Sequence, residues 1–432
     1  MEEGHLAERD GRKRLGIVSQ IVSGPLALTS DMTRLRHPSL SRDSLEAAVI
    51  DLWRLEGYTA ATISGYLRSI RAFRLHCHQR QLDESAALTQ RRVIAIAACV
   101  ARKCGRAVYW AVRAAKTGLR RWAVALVSLG VAVPPWRPRR AHRCDALLAE
   151  YCEFRRRWRS VKQSSLVTET GKIKRFLSWL PSRRRLSSVT PECIDDFLTS
   201  YGKTVRPKTL ASMCCGLRAF LRFLHATGRS RLDLARCVQG PWLRSNANPP
   251  RALRWDDVRR TLALIDRTTR TGKRDYAMFL LMVTYGMGAS DALALCLDDI
   301  DWQEGTIRLV RPKTGTLTIL PLLGGVGKAI AAYLRATPRP KARRSLFLQT
   351  FAPFAPLAYS GLAIRWQQYT AAAGVSFQGT HALRHTHASR QVEAAAPPKV
   401  VSDILGHADP RSLSTYARVA TERLRAVCLP VP

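Results

Sequence analysis

His381-Ala382-Leu383-Arg384-His385-Thr386-His387 and, further on, Leu405-Gly406-His407 place four of the chain's ten histidines in its last 52 residues. Arg384 precedes His407 by 23 residues, and Tyr416 follows His407 by nine. Metal-free phosphoryl transfer on DNA needs a nucleophile, cationic or donor groups on the non-bridging oxygens, and a proton donor for the leaving 5′-oxygen. This region offers each of them. Tyr416 is the candidate nucleophile, Arg384 with His381 and His407 the phosphate-holding set, and Lys313 the candidate acid. The ordinary fates of such residues are a half-buried helix tyrosine and a solubilising turn lysine; the spacing favours the functional reading. His385 is a candidate assisting group, whereas His387 reads as a packing or surface residue.

Outward from this stretch, the text around Lys313 alternates. Thr306-Ile307-Arg308-Leu309-Val310, the turn Arg311-Pro312-Lys313-Thr314-Gly315 and Thr316–Leu320 predict a β-hairpin. Helical text precedes it, from Trp255 and again over Tyr276–Tyr285, and helical text returns from Tyr359 onward. The fold class expected is mainly α with a small β-hairpin or sheet in the C-terminal domain. Three neighbouring histidines raise the question of zinc, but Arg384 among them opposes a dication and no cysteine or carboxylate completes the set. Gly324-Gly325-Val326-Gly327-Lys328-Ala329 lacks the hydroxyl residue and first glycine of a phosphate loop. No metal, ATP or other cofactor is expected.

The 432 residues hold 70 Lys+Arg against 32 Asp+Glu, a formal net charge of +38, with 46% hydrophobic residues. That composition builds cores and excludes a disordered basic tail, while the unbalanced charge calls for a polyanionic partner. Arginine outnumbers lysine 57 to 13, which suits bidentate phosphate contacts and also follows from GC-rich coding. Eleven cysteines without a CxxC pair point to a reducing compartment and no structural zinc. The apolar stretches Trp122–Val133 and Tyr276–Ala289 fall short of the roughly 30 Å of a bilayer core, so buried helices rather than a membrane are expected. The N-terminus is acidic without an apolar signal core, and export is not expected.

Two Pro- and Arg-rich breaks divide the chain. The expected organisation is a tail over 1–35, a helical domain over 36–133, a linker over 134–143, a second helical domain over 144–243, a linker over 244–251 and a C-terminal domain over 252–432. Each linker reads equally as an ordinary solvated connection or as a segment lying along phosphates. The two helical blocks repeat one order of features: a polar helix start, an apolar-periodic helix with Arg on its other face, a Thr-capped short helix, and a closing helix mixing Arg with aromatic or aliphatic residues. This predicts an internal duplication. Residues 137–175 alone hold 12 Lys/Arg against 4 Asp/Glu. Basic faces repeated in both blocks nominate Arg68, Arg71, Arg155, Arg156, Lys172, Lys174, Arg175, Arg218 and Arg222 as DNA contacts.

Taken together, HALRHTHAS, LGHADPRSLSTYARV, the hairpin lysine and TYGMGASDALALCLDDIDW resemble the boxes of the tyrosine recombinase (phage integrase) family. The resemblance covers roughly residues 250–420, and 141–243 is similar to that family's core-binding domain. It implies α-helical core-binding (SAM-like) domains ahead of an α+β catalytic domain, closing as a C-shaped clamp on duplex DNA. The block from residue 36 to 133 would be an additional core-binding-like domain. The implied chemistry is attack by Tyr416 on a scissile phosphate through a 3′-phosphotyrosyl link, without ATP or metal. Four protomers, of this chain or of related recombinases, would assemble on two double-stranded DNA sites in the cytoplasm, at the nucleoid.

One departure stands out. Aligning TYGMGASDAL with the family's first box puts Gly288 where an arginine is expected, while Asp291 occupies the acidic position. Losing a preorganised phosphate donor typically costs on the order of 10²–10³ in rate. Another arginine, such as Arg274, Arg311 or Arg411, would have to reach the site, or a partner protomer would supply the active centre. Three readings follow: an active recombinase, a catalytically degenerate DNA-binding subunit of a multi-recombinase complex, and a basic RNA- or ribosome-associated protein. The last accounts for the charge but leaves the boxes to coincidence.

Overall fold

The computed structural model describes residues 42–138, 144–181, 186–243, 251–341, 343–376 and 378–406. His407, Arg411 and Tyr416 lie outside the described residues, as does the expected 1–35 tail. The architecture is helical with one small sheet, the fold class expected from the sequence.

Two series of helices come first. α1 (Arg42–Leu55), α2 (Ala60–Gln79), a short α3 (Glu84–Ala87), α4 (Gln90–Lys103) and α5 (Val108–Ser128) form one; α6 (Asp145–Arg159), α7 (Gln163–Trp179), α8 (Pro191–Gly202) and α9 (Pro207–Ala226) form the other. Their starts follow local chemistry. Thr59 accepts from Thr62 N at 3.3 Å ahead of α2, and Thr190 accepts from Cys193 N at 3.4 Å ahead of α8, each satisfying an amide that has no partner within its helix. Thr89 differs from the expected cap: its side chain accepts nothing from α4. The Gln90 amide is met instead by the Trp136 carbonyl at 2.7 Å, so the start of the first Pro/Arg-rich break folds back on α4.

Apolar periodicity buries one stripe of each helix. In the first series Trp53, Ile70, Phe73, Leu119 and Trp122 are buried, and Trp53 meets Trp122 edge-on at 6.2 Å between ring centroids. In the second, Tyr151, Phe176, Phe197, Phe220 and Phe223 form the core, with Tyr151 edge-on to both Phe220 and Phe223.

All the remaining elements but the last share a third apolar core spanning Leu253 to Leu383, and the last helix packs Val401 and Leu405 with Ala388 in a small separate cluster. In order, these elements are α10 (Trp255–Ala263), α11 (Arg270–Tyr285), α12 (Ala289–Ala294), β1 (Ile300–Asp301), β2 (Thr306–Val310), β3 (Leu317–Pro321), α13 (Gly324–Ala336), α14 (Tyr359–Ala372), α15 (His381–Glu393) and α16 (Pro398–Leu405). The sheet is antiparallel in the order β1-β2-β3, with Val310 opposite Leu317 and Thr306 opposite Pro321. The hairpin matches the expected one to within a residue at its second strand; β1 is an addition. α11 starts one and a half turns earlier than its apolar text, at the Thr269 cap, whose hydroxyl accepts from Gly272 N at 3.0 Å. Ala277, Met278, Phe279, Leu281 and Met282 are fully buried, as expected for a helix that is apolar on nearly every face. Among the described residues, no helix is long and apolar enough to cross a membrane.

Gly286 ends α11 at φ +60°, a conformation glycine adopts without cost. A Cβ there would also lie 2.7 Å from His387 of α15 and 2.7 Å from Leu405 of α16. This glycine is what lets three helices close on one another. Gly286→Ala is expected to lower unfolding free energy by about 3 kcal/mol, combining the left-handed penalty with overpacking. Chemical denaturation with the midpoint and slope compared against wild type measures it.

Candidate active site

The C-terminal turn of α16 anchors the site. Helix ends leave carbonyls without partners inside the helix and carry partial negative charge. Two arginines from elsewhere in the chain meet them: Arg384 donates through Nη2 to Leu405 O at 2.5 Å, and Arg311 donates through Nη2 to Ile404 O. Arg384 also donates through Nη1 to Gly286 O at 3.1 Å. One guanidinium therefore joins α15, the end of α11 and the end of α16, immediately before position 407.

Asp291 in the first turn of α12 is the shared anion. Its Oδ2 accepts from Gly288 N at 3.1 Å and from Arg311 Nη1 at 2.8 Å, and lies 3.9 Å from Arg384 Nη1. All three side chains are buried. Burial pulls Arg311 below its ordinary pKa, opposed by the Asp291 charge; an arginine remains a cation here. Gly288, the departure from the expected first box, contributes backbone alone: this amide, and a carbonyl that accepts from Asp291 N at 3.0 Å and Ala292 N at 3.1 Å.

His381 opens α15 with its ring towards solvent, and its ring centroid is 4.5 Å from that of His385 in an edge-on contact. Desolvation by the surrounding protein, then the positive charges of Arg384 and Lys313, push the His381 pKa below the ordinary imidazole value, with Asp291 opposing. The shift favours the neutral form of the ring. Lys313 stands exposed on the hairpin turn. The turn is held from the second helical series: Lys162 Nζ donates to Pro312 O at 2.8 Å and to Lys313 O at 2.6 Å. Nothing in the text around Lys162 singles it out. It is one basic residue among many, and only the fold reveals that it reaches across 150 positions.

His387 is a packing residue. It is buried, Nδ1 pairs with Val283 O at 3.1 Å, and Nε2 is buried without a hydrogen-bond partner among the described residues. Burial pushes its pKa down, with the Val283 bond opposing. The unfolded chain protonates this ring near the ordinary imidazole value, about 6.5, while the folded chain resists. Stability from this group is therefore complete above that value and is lost as pH falls through it. Between about pH 7.5 and 5.5 the wild-type melting temperature should fall more steeply than that of His387→Asn, measured by parallel thermal melts.

Of the three arginines that could replace the first-box residue, the structure places two, and it places them differently. Arg274 is committed elsewhere, bonding Asp275 through Nε and Nη2 and Leu348 O and Thr350 through Nη1. Arg311 reaches the Asp291 carboxylate. Arg411 lies outside the described residues, with His407 and Tyr416.

The nominated DNA contacts are of several kinds. Arg68, Arg71, Arg156, Arg175 and Arg222 are exposed; Arg156 also bonds Glu153 and Gln163, and Arg175 lies over the Tyr201 ring. Arg155 forms a two-point pair with Glu169, at 3.1 and 2.9 Å, and Arg218 bonds Val238 O through two nitrogens. Lys172 bonds Ser212, and Lys174 bonds Asp145 at 2.6 Å. Among the described residues, no group of three or more His, Cys, Asp or Glu is arranged to hold a metal ion.

Comparison with known proteins bears on this arrangement. The phage integrase family matches residues 251–423. The candidate integrase/recombinase y4rA of Sinorhizobium fredii is 34% identical over 280 residues, 63% of this chain and 68% of the relative. The tyrosine recombinase XerD of Lacticaseibacillus casei is 25% identical over 288 residues, 65% of this chain and 96% of the relative. A crystal structure of a lambda integrase tetramer bound to a Holliday junction shares the fold, with a TM-score of 0.52 at 18% identity over 71% of this chain and 88% of that one. Sequence boxes, helical and hairpin architecture and these relatives agree: the chain belongs to the phage integrase family of tyrosine recombinases.

Proposed function

We propose that this chain is a site-specific DNA recombinase that cuts and rejoins duplex strands through Tyr416. The observation that carries the reading is the buried Arg384, fixed by two helix-end carbonyls and flanked by Asp291, Arg311, His381 and the Lys313 turn. Such fixed cationic donors need no reorganisation when charge develops on a phosphate.

In this mechanism the Tyr416 hydroxyl gives its proton to solvent as its oxygen attacks the scissile phosphorus, a 3′-phosphotyrosyl bond forms and the bond to the 5′-oxygen breaks. Lys313 Nζ gives its proton to that oxygen, leaving a 5′-hydroxyl. Rejoining reverses these transfers: a 5′-hydroxyl from a partner strand attacks the phosphorus and the tyrosine oxygen departs. Arg384 and His407 hold the non-bridging oxygens, with His381 as a neutral donor and His385 assisting. Exposed Arg68, Arg71, Arg156, Arg175 and Arg222 carry sequence-independent affinity for the duplex. The DNA-bound tetramer among its structural neighbours supports assembly of four protomers, of this chain or with related recombinases.

Gly288 favours a second reading, a catalytically degenerate subunit that binds DNA and completes a complex of related recombinases. A nicked duplex that traps covalent adducts separates the two. Adduct from wild type supports the recombinase; adduct from Gly288→Arg alone supports the degenerate subunit.

A further inference from the structure

A Cβ on Gly288 would start 3.4 Å from Asp291 Oδ2, so an arginine at that position would begin beside this carboxylate. Arg311 Nη1 already holds the same oxygen at 2.8 Å. Arg311 comes from a different element, the hairpin, two residues before Lys313. Its place is built: its amide donates to Thr316 O at 2.9 Å, its carbonyl accepts from Gly315 N at 2.8 Å, and Nη2 caps Ile404. Its Nε lies against Gly406, at φ +63°, where a Cβ would overlap it. The glycine of the Leu405-Gly406-His407 box thus makes room for this guanidinium.

Charge bookkeeping gives the consequence. Asp291 and Arg384 carry one charge of each sign, and Arg311 adds a second positive charge beside the same carboxylate. Asp291 with both arginines carries a net charge of +1.

We propose that Arg311 takes over the electrostatic role of the absent first-box arginine, acting as a positioning residue that neutralises Asp291 and so raises the positive charge that the Asp291–Arg384 pair presents to the scissile phosphate. This rests on the strand-cleavage reading for its purpose but is testable without cleavage. The full chain carrying Tyr416→Phe binds a duplex that it has itself selected from a randomised pool, at fixed salt, with a neutral methylphosphonate placed at each phosphate in turn. At the phosphate facing the site, neutralisation is expected to weaken binding about tenfold. Adding Arg311→Gln should shrink that penalty to about twofold or less, and Gly288→Arg with Arg311→Gln should restore it. Asp291→Asn with Arg311→Gln removes both charges and avoids an unpaired buried carboxylate; it should keep the tenfold penalty, and it serves as the readable variant if Arg311→Gln alone fails to fold.

An Arg311→Gln protein that folds and keeps the full penalty overturns the proposal. So does an Asp291→Asn/Arg311→Gln protein that loses it. Absence of adduct from the wild-type tyrosine chain, with the penalty pattern intact, defeats the cleavage reading and leaves the role of Arg311 standing.

Discussion

Tyr416→Phe is expected to lower covalent attachment to a nicked duplex by at least about 10⁴-fold while leaving duplex affinity within about twofold. The asymmetry follows from what is removed. Phenylalanine keeps the ring and loses the phenol oxygen that, in the proposed mechanism, forms the bond to phosphorus. Affinity comes from the cationic surface instead, which this substitution does not alter. Adduct is measured as protein retarded with labelled DNA under denaturing conditions, and affinity by gel shift in the same buffer. A comparable loss of both would place Tyr416 in DNA binding or folding instead of bond formation.

Arg384→Ala should have the second largest effect, and on two quantities. The side chain joins Gly286 O and Leu405 O and lies 3.9 Å from Asp291. Removing one member of a buried charged network costs about 3–5 kcal/mol, because the partners stay buried. Removing a fixed phosphate donor costs on the order of 10²–10³ in adduct rate. Arg384→Lys separates the two. It retains the charge but cannot span both carbonyls as a planar fork, so it should melt below wild type and recover only part of the lost rate. A folded Arg384→Ala protein with the wild-type adduct rate would remove Arg384 from the phosphate-holding set.

The hairpin was legible in the sequence because its alternation is strict: Ile307 and Leu309 are buried, whereas Arg308 and Val310 are exposed. Strand β1, two residues long, is too short to carry any alternation. α11 was legible as a buried helix from its apolar run, but its true start depends on a threonine cap beyond that run. In the site, the box spacing identified Arg384 and His381, yet not what fixes Arg384, since its partners are backbone carbonyls about 98 and 21 positions away. Arg274 and Arg311 were indistinguishable as candidates. Each is a single arginine beside apolar text, and only tertiary placement sends one to Asp275 and the other to Asp291. The partners of the basic residues are hidden from the sequence for the same reason. Composition counts charges, but Arg155, Lys172, Lys174 and Arg218 spend theirs on Glu169, Ser212, Asp145 and Val238.

Tyrosine-linked strand exchange is tested at its root by the chemical identity of the covalent link. Wild-type chain trapped on a nicked duplex, trimmed with nuclease and digested with protease, is analysed by mass spectrometry. The account predicts a nucleotide joined through its 3′-phosphate to the peptide containing Tyr416, together with a free 5′-hydroxyl on the released strand. A link at another residue, a 5′-phosphate linkage, or an adduct that persists in Tyr416→Phe would contradict it.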